Sequence, residues 1–184
     1  MGHLILAALL SIWIVFETWV TLIHSIKQDK RETASKWIMF STLNVGVFGG
    51  FIFEGARESF LESFSLIRYG GIAVIFAGFL LRIFAVRKLG KSFNIDPQTR
   101  PDQKLIQDGL YRYFRHPGYL ADIIAFAGLA LVFWNPITSL LVLFLPPVGI
   151  LHRIRVEEKM LLKAFGSDYE AYCKKTSALF PWIY

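Results

Sequence analysis

The sequence predicts an all-α integral membrane protein with about five transmembrane helices, its N-terminus outside and its C-terminus in the cytosol. Composition is the first reason, since 54% of the 184 residues are hydrophobic and only 18% are charged, with a mean hydropathy of +0.46. The second reason is a series of long apolar stretches, and the third is the uneven distribution of Lys and Arg between them. Soluble domains have about a quarter of their residues charged, so this composition favours a membrane protein.

Five apolar stretches approach the roughly 20 residues that a helix needs to cross a bilayer. They cover residues 4–26, 37–53, 67–89, 119–134 and 137–150. The short "NP" connection between the last two predicts an antiparallel hairpin. Pro146 and Pro147 predict a kink or break inside the fifth stretch, because proline removes a backbone donor and clashes with the preceding turn. Gly71, Gly78 and Ala85 lie seven residues apart in the third stretch and predict a seam of close helix packing.

The basic residues predict the orientation of these spans. Of the 20 Lys and Arg, four, eight and six fall in residues 27–36, 82–117 and 152–184, which share one side of a five-span bundle. The opposite side has only Arg57 and Arg68. The positive-inside rule therefore places the C-terminus and the charged segments in the cytosol. The predicted orientation fits either a plasma or inner membrane or the membrane of the endoplasmic reticulum.

The remaining bulk properties exclude several classes of protein. The net charge of +6 is scattered between helices without a nucleic-acid signature, so we expect no nucleic-acid partner. The single cysteine, Cys173, excludes an intrachain disulfide. The first apolar stretch is too long for a signal peptide core and has no evident cleavage site, which favours a spanning helix. The four histidines are dispersed and Cys173 has no evident base, so neither a metal site nor a cysteine nucleophile is predicted.

Charge is concentrated at the start of the fourth span, in "YRYFRHPGYLAD" (111–122). Proline suits the first position of a helix, so we expect the helix to begin at Pro117 with His116 at the cap. A helix start has free N–H groups and a partial positive charge, which favour an anion. The alternative is that Arg112, Arg115 and His116 only anchor the helix to lipid phosphates.

A second charged segment, 152–172, is predicted to continue the fifth helix into the cytosol. Arg153 and Glu157 are four residues apart and share one face. Glu157 and Glu158 differ by roughly 100° around the helix, so they point to different targets. With the start of the fourth span, this segment would suit a zwitterionic ligand. The alternative is an interfacial helix whose apolar side chains, Leu161, Leu162 and Phe165, lie on the bilayer.

The two charged segments resemble one known family. "LIQDGLYRYFRHPGY", an apolar hairpin and "RIRVEEKMLLKAFGSDYEAYCKKTSALFPWIY" are similar in order and content to the isoprenylcysteine carboxyl methyltransferase family, whose relatives include phospholipid N-methyltransferases. The likeness covers about residues 78–184. It implies a single methyltransferase domain over 1–184, with two N-terminal spans in 1–66 and a catalytic core in 67–184. It also implies S-adenosyl-L-methionine as the methyl donor and S-adenosyl-L-homocysteine as the product, bound at the cytosolic face.

The resemblance assigns the donor and the acceptor to separate residues. The implied donor-binding residues are Gln98, Gln103, Lys104, Leu105, Ile106, Tyr111, His116, Pro117, Gly118, Tyr119, Glu157 and Glu158. Arg153 and Arg82 are implied to contact a lipophilic methyl acceptor that enters from the bilayer. An arginine inside a span is costly and usually has a partner. Glu17 in the first span is one candidate partner for Arg82, and snorkelling of Arg82 to the interface is the alternative.

The expected arginines favour a carboxylate acceptor, such as the α-carboxyl of a prenylated cysteine. A carboxyl group with a pKa near ~4 is already ionised at neutral pH and needs no general base, and an arginine holds it by forked hydrogen bonds. An amine, as in a phospholipid, would arrive protonated and need a base from His116, His152 or Glu158. A thiol lies between these cases.

Two other classes remain as alternatives. Sterol-type reductases that use NADPH are similar in the same C-terminal half, and "EAYC" and "PWIY" fit them, but Pro117–Gly118 and only five spans do not. A non-enzymatic membrane scaffold is the other alternative. It predicts no cofactor binding and leaves both charged segments without a role.

Overall fold

The computed structural model describes Ser41 and residues 65–90, 105–133 and 136–180. Every regular element in these ranges is helical, in agreement with the predicted all-α class. The helices are α1 (Ser65–Leu89), α2 (Pro117–Phe133), α3 (Pro136–Phe165) and α4 (Ser167–Cys173), with a 3₁₀ turn at Gly109–Arg112. The predicted spans at 4–26 and 37–53 lie outside the described residues, apart from Ser41.

Helices α1 and α2 pack antiparallel at very short distance along a line of glycines. A Cβ atom on Gly71 would lie 2.7 Å from the carbonyl oxygen of Gly128, and one on Gly78 would lie 2.8 Å from that of Ala121. Only glycine therefore allows the two backbones to approach this closely. Ala85, one further heptad along α1, is 1% exposed. The predicted small-residue seam of the third span is confirmed.

Helices α2 and α3 form the predicted antiparallel hairpin. Ser139, early in α3, donates a hydrogen bond of 2.7 Å to the carbonyl oxygen of Ala130, late in α2. At the other end of the pair, Tyr119 of α2 meets Glu157 of α3. The apolar core lies along these helices and comprises Ile75, Leu120, Phe126, Leu129, Val132, Phe133, Val142, Ile150, Ile154 and Leu179.

The two prolines of the fifth span are predicted to kink or break it, and the predicted break is wrong. Helix α3 runs without interruption from Pro136 to Phe165 and includes Pro146 and Pro147. Each proline forfeits one backbone hydrogen bond, but packing holds the helix together, since Pro146 is almost completely buried beside the core residues Val142 and Ile150.

The prediction of one helix over 152–172 is correct only to Phe165. Gly166 has a φ of 52°, a left-handed conformation that ends α3 because residues other than glycine rarely adopt it. The chain turns there into α4, and Tyr169 and Tyr172 of α4 pack against Leu161. Leu161 is 8% exposed, so this side chain packs inside the protein and does not lie on a bilayer.

The segment after α4 returns to the start of α2. Phe114 and Ser177 form an isolated parallel β-bridge. The Arg115 N–H donates to the carbonyl oxygen of Ser177 at 2.8 Å, and the His116 N–H donates to that of Ala178 at 3.1 Å. Because Ala178 is fully buried, this C-terminal segment is an integral part of the helix start that it covers.

Two helices among the described residues are long and apolar enough to cross a membrane, by length and composition: Leu66–Leu89 and Pro136–Phe165. Only 28% and 39% of their apolar windows are buried, whereas a core helix of a soluble protein is mostly buried. Large apolar side chains on their outer faces are exposed instead, and they include Leu66, Tyr69, Phe76, Phe84, Ile137, Leu140, Phe144 and Val148. This surface suits contact with lipid.

Candidate active site

The fourth span begins where the sequence predicts. Pro117 is the first residue of α2, and the first helical hydrogen bond runs from the Leu120 N–H to the carbonyl oxygen of His116 at 3.1 Å. The His116 N–H is taken up by the C-terminal segment. Pro117 has no N–H, so the N–H groups of the first turn that come before this first helical donor are those of Gly118 and Tyr119. If an anion binds at the helix start as predicted, these two N–H groups are the ones that would contact it.

Tyr119 joins the start of α2 to the charged part of α3. Its hydroxyl donates a hydrogen bond of 2.9 Å to Glu157 Oε2 and accepts one of 3.4 Å from Arg153 Nε. Arg153 Nε also lies 3.9 Å from Glu157 Oε2, as their predicted common helix face requires. The Arg153 side chain is only 6% exposed. A guanidinium, a carboxylate and a phenol therefore meet in one largely desolvated cluster.

Glu158 points to a different set of partners. Its Oε1 accepts a 2.8 Å hydrogen bond from Arg115 Nε and lies 3.5 Å from His116 Nε2. Arg115 also donates to the carbonyl oxygens of Thr176 and Cys173. Burial alone would lower the pKa of Arg115, but the hydrogen bond and charge of Glu158 outweigh it and raise that pKa.

The two neighbouring glutamates thus have separate targets, as the 100° offset predicts. The alternative in which Arg115 and His116 serve only to anchor lipid phosphates is wrong, because both side chains face into the protein, where they contact Glu158. Arg112 is exposed, and its guanidinium carbon lies 6.0 Å from the centre of the Tyr113 ring.

Arg82 has a partner that sequence reasoning missed. Its Nε lies 3.5 Å from Oδ1 of Asp122, and the two side chains are 6% and 8% exposed. The Arg82 guanidinium also lies 5.9 Å from the centre of the Tyr119 ring. Snorkelling to the interface is therefore wrong for Arg82, and Glu17, the partner considered from sequence, lies outside the described residues. The available signal was that Asp122 is the sole charged residue in the α2 sequence.

The turn before α2 is tied to both neighbouring helices. The Tyr111 hydroxyl donates to the carbonyl oxygen of Ala85 in α1 at 3.4 Å, and its own carbonyl accepts a 2.6 Å hydrogen bond from Tyr172 in α4. Burial raises the pKa of Tyr111 and raises that of Tyr172 to about 12. An ion pair between Lys88 and Asp108 adds an exposed tie and lowers the pKa of Asp108.

The other expected donor-binding residues fall into two groups. Leu105 packs against the Leu161–Tyr169–Tyr172 cluster, and Ile106 is half-buried beside it in sequence. The others, Gln98, Gln103 and Lys104, lie outside the described residues. Within the ranges that the structure describes, no three His, Cys, Asp or Glu side chains form a group suited to a metal ion.

These features define a class: an all-α protein with helices of membrane-spanning length and a charged, partly buried site where the polar parts of α2 and α3 meet. The family model of the isoprenylcysteine carboxyl methyltransferase (ICMT) family matches residues 71–163, which contain most of α1 and α3 and all of α2. This is half of the chain, and the chain belongs to the ICMT family.

Individual relatives agree with this assignment. A probable protein-S-isoprenylcysteine O-methyltransferase of Oryza sativa subsp. indica is 31% identical over 125 residues, which are 67% of this chain and 65% of that protein. The protein-S-isoprenylcysteine O-methyltransferase of Dictyostelium discoideum is 28% identical over 172 residues, 90% of this chain and 71% of that protein. The chain thus spans just under two thirds of the rice relative.

A solved structure supports the fold. The eukaryotic intramembrane Ras methyltransferase ICMT matches with a TM-score of 0.69 and 25% sequence identity, over 76% of this chain and 52% of that one. The fold is therefore an ICMT-like membrane fold, and the family implies a methyl donor.

Proposed function

We propose that this protein is an S-adenosyl-L-methionine-dependent methyltransferase that methylates a carboxylate on a lipophilic acceptor, most simply the α-carboxyl of a prenylated cysteine. One observation carries the proposal: the Tyr119 hydroxyl lies between Glu157 Oε2 at 2.9 Å and Arg153 Nε at 3.4 Å. This contact brings the two sequence motifs of the family resemblance into one site. The family name and the names of the relatives support the same activity.

The chain offers groups that fit the amino acid part of such a donor. The first-turn amides of Gly118 and Tyr119 suit its carboxylate, because helix starts favour anions. The Glu157 carboxylate suits its ammonium group or ribose hydroxyls. When bound, the donor supplies an electrophilic methyl group, whose transfer depends mainly on alignment and exclusion of water. His116, whose ring centre lies 5.8 Å from that of Tyr119, and Glu158, whose Oε1 lies 3.5 Å from His116 Nε2, are the remaining groups proposed to bind the donor.

The acceptor end of the site favours a carboxylate. Arg153 is buried and its guanidinium can offer forked hydrogen bonds to two oxygen atoms. Such an acceptor is ionised at neutral pH, so no residue has to remove a proton. We assign Arg82, held by Asp122, to the same side of the site, beneath the Tyr119 ring.

The proposed placement is a multi-pass membrane protein whose site faces the cytosol. Five spans, with the N-terminus outside, put 18 of the 20 Lys and Arg on the cytosolic side. The acceptor then reaches Arg153 from the bilayer, and the donor arrives from the water at the polar end of α3.

The first test is calorimetric titration of the detergent-purified full chain with S-adenosyl-L-homocysteine and, separately, with NADPH. Saturable micromolar binding of S-adenosyl-L-homocysteine is expected, and Glu157→Gln should weaken it about tenfold or more because a charged partner is lost. Glu170→Gln, which removes an exposed carboxylate on α4, is the matched control and should bind like the wild type. Binding of NADPH alone would identify a reductase, and binding of neither would favour a scaffold.

The second test identifies the acceptor. The protein is given S-adenosyl-L-methionine with a radiolabelled methyl group. Transfer of the label is then measured separately to three acceptors: N-acetyl-S-farnesyl-L-cysteine, phosphatidylethanolamine and a long-chain thiol. A carboxyl methyl ester releases its label as volatile methanol in base, whereas a methylated amine or thioether keeps it. Base-labile label in the farnesylcysteine sample is expected, and base-stable label in the phospholipid sample would overturn the carboxylate assignment.

A further inference from the structure

Asp122 enters the function proposed above only as the partner of Arg82, yet it is buried in an otherwise apolar helix. Its side chain is 8% exposed and its Oδ1 lies 3.5 Å from Arg82 Nε. Removing two charges from water has a large unfavourable free energy, which only a close and well-oriented ion pair can offset. The pair lies between α1 and α2, one turn beyond the start of α2, so it is close to the proposed site.

The Arg82 guanidinium occupies a space that the start of α2 leaves open for it. Gly118 has no side chain, and a Cβ atom on this residue would lie only 2.5 Å from Arg82 Nη1. The guanidinium carbon lies 5.9 Å from the centre of the Tyr119 ring, within the range of a cation–π interaction. Asp122 and the Gly118 notch together therefore fix the cation beneath one face of Tyr119.

Tyr119 transmits this placement to the proposed reaction centre. Its ring contacts Arg82, and its hydroxyl is hydrogen-bonded to Glu157 and Arg153. A phenol can bridge these two groups only if its ring keeps the right tilt, because the hydroxyl moves with the ring. Contacts thus run without interruption from Asp122 through Arg82 and Tyr119 to Glu157 and Arg153, the residues proposed to bind the methyl donor and the methyl acceptor.

We propose that Asp122 is a positioning residue: by holding Arg82 beneath the Tyr119 ring, it sets the Tyr119 hydroxyl between Glu157 and Arg153. This inference rests on the proposed function, because it assigns Asp122 a role in binding the methyl donor at that site. It adds a residue of α2 that lies outside both motifs of the family resemblance.

A double-mutant cycle tests the coupling in the full chain. The affinity for S-adenosyl-L-homocysteine is measured for the wild type, Asp122→Asn, Tyr119→Phe and the double variant. The affinity of each single variant should be lower than that of the wild type by a factor of about five or more. The double variant should bind no more than about twofold more weakly than Tyr119→Phe, since both changes act through one hydroxyl. Unchanged affinity in Asp122→Asn, or losses that multiply in the double variant, would overturn the proposal.

A second variant covers the possibility that Asp122→Asn does not fold with Arg82 left charged. Arg82→Gln/Asp122→Asn removes both charges together, so it leaves no uncompensated buried charge, which is the main cost of breaking such a pair. It should fold and bind S-adenosyl-L-homocysteine as weakly as Tyr119→Phe does, and wild-type affinity would refute the role. Asp168→Asn, which removes an exposed carboxylate on α4, is the control and should match the wild type.

A spectroscopic readout separates positioning from mere stabilisation. The ¹⁹F resonance of Tyr119 in protein labelled with 3-fluorotyrosine is assigned by its loss in Tyr119→Phe. Asp122→Asn should shift that resonance, whereas a purely structural role would lower the unfolding temperature and leave it in place. Absence of binding in the wild type itself would overturn the proposed function and this inference with it. Wild-type binding with an unmoved resonance in Asp122→Asn would overturn the inference alone.

Discussion

Arg115 Nε donates a 2.8 Å hydrogen bond to Glu158 Oε1, and this contact joins the segment before α2 to the polar part of α3. The same guanidinium donates to the carbonyl oxygens of Cys173, the last residue of α4, and of Thr176, which follows that helix. One side chain, 12% exposed, thereby ties together three parts of the chain that are distant in sequence. Its planar fork serves several acceptors at once, which a lysine ammonium does less well.

Arg115→Ala should therefore destabilise the protein by about 2–4 kcal/mol, because Glu158 and two carbonyl groups lose their donor in a mostly buried setting. Arg115→Lys should recover only part of this loss. Arg112→Ala is the matched control, since it removes an exposed arginine three residues away and should change stability by less than about 0.5 kcal/mol. Denaturant unfolding of the detergent-purified variants measures the difference, and equal effects at both positions would contradict the assigned contacts.

Replacing a glycine of α1 or α2 by alanine should either lower or raise the stability of the protein, depending on whether that glycine lies in the seam between the two helices. Gly128→Ala places a Cβ atom 2.7 Å from backbone atoms of Gly71 and Ile75, so the helices must separate, at a cost of about 1–3 kcal/mol. Gly70→Ala lies one residue from the seam and meets nothing within 4 Å. It should stabilise α1 by about 0.5–1 kcal/mol, because alanine is the better helix former. Thermal unfolding of both variants checks the opposite signs, and a shift of the same sign in both would argue against the close approach.

Tyr172 makes stability sensitive to alkaline pH. Its neutral hydroxyl donates to the carbonyl oxygen of Tyr111 at 2.6 Å, and burial raises its pKa from 10.0 to about 12, against the opposing charge of Arg115. The unfolded phenol ionises first, so the stabilisation is complete below pH 10 and is lost as the pH rises from about 10 to about 12. The free energy of unfolding, measured across this range, should fall more steeply in the wild type than in Tyr172→Phe. Parallel curves would show that this phenol does not contribute.

The segment after α4 should contribute to stability as a core element does. Leu179 is 3% exposed and packs in the cluster that contains Ile150 and Ile154. Leu179→Ala should cost about 2–5 kcal/mol, as buried leucine truncations do. Phe180→Ala is the control because its side chain is 38% exposed, and it should cost under about 1 kcal/mol. Chemical unfolding compares the two, and a small loss in Leu179→Ala would mean that the segment is only loosely attached.

Local patterns in the sequence predicted the parts of the fold that depend on near neighbours. Hydropathy located the described spans to within a few residues at their starts, and proline chemistry placed the start of α2 at Pro117. Helical spacing put Arg153 and Glu157 on one face and turned Glu158 to another. In each case the deciding interaction lies within one or two turns of the residue concerned.

Features that depend on distant neighbours could not be predicted in this way. The pairing of Arg82 with Asp122 requires the register between α1 and α2, which no local period specifies. The bridge between Phe114 and Ser177 joins two irregular segments without a repeating pattern. The helix that continues through Pro146 has the same explanation. The tendency of proline to interrupt a helix can be predicted from the sequence, but the tertiary packing that outweighs it cannot.

The return of the C-terminal segment to the start of α2 determines when the site can assemble during synthesis. Arg115 and its acceptor Thr176 are 61 residues apart in the chain, a stretch that a ribosome adds in about 3–12 s at about 5–20 residues/s. Once Phe133 has been added, α2 is complete, but for the rest of that interval the backbone N–H groups of Arg115 and His116 still lack the partners that the finished protein gives them. A chain whose synthesis ends before Ser177 would therefore contain the long helices α1, α2 and α3 but lack the two carbonyl groups that accept the N–H groups at the start of α2.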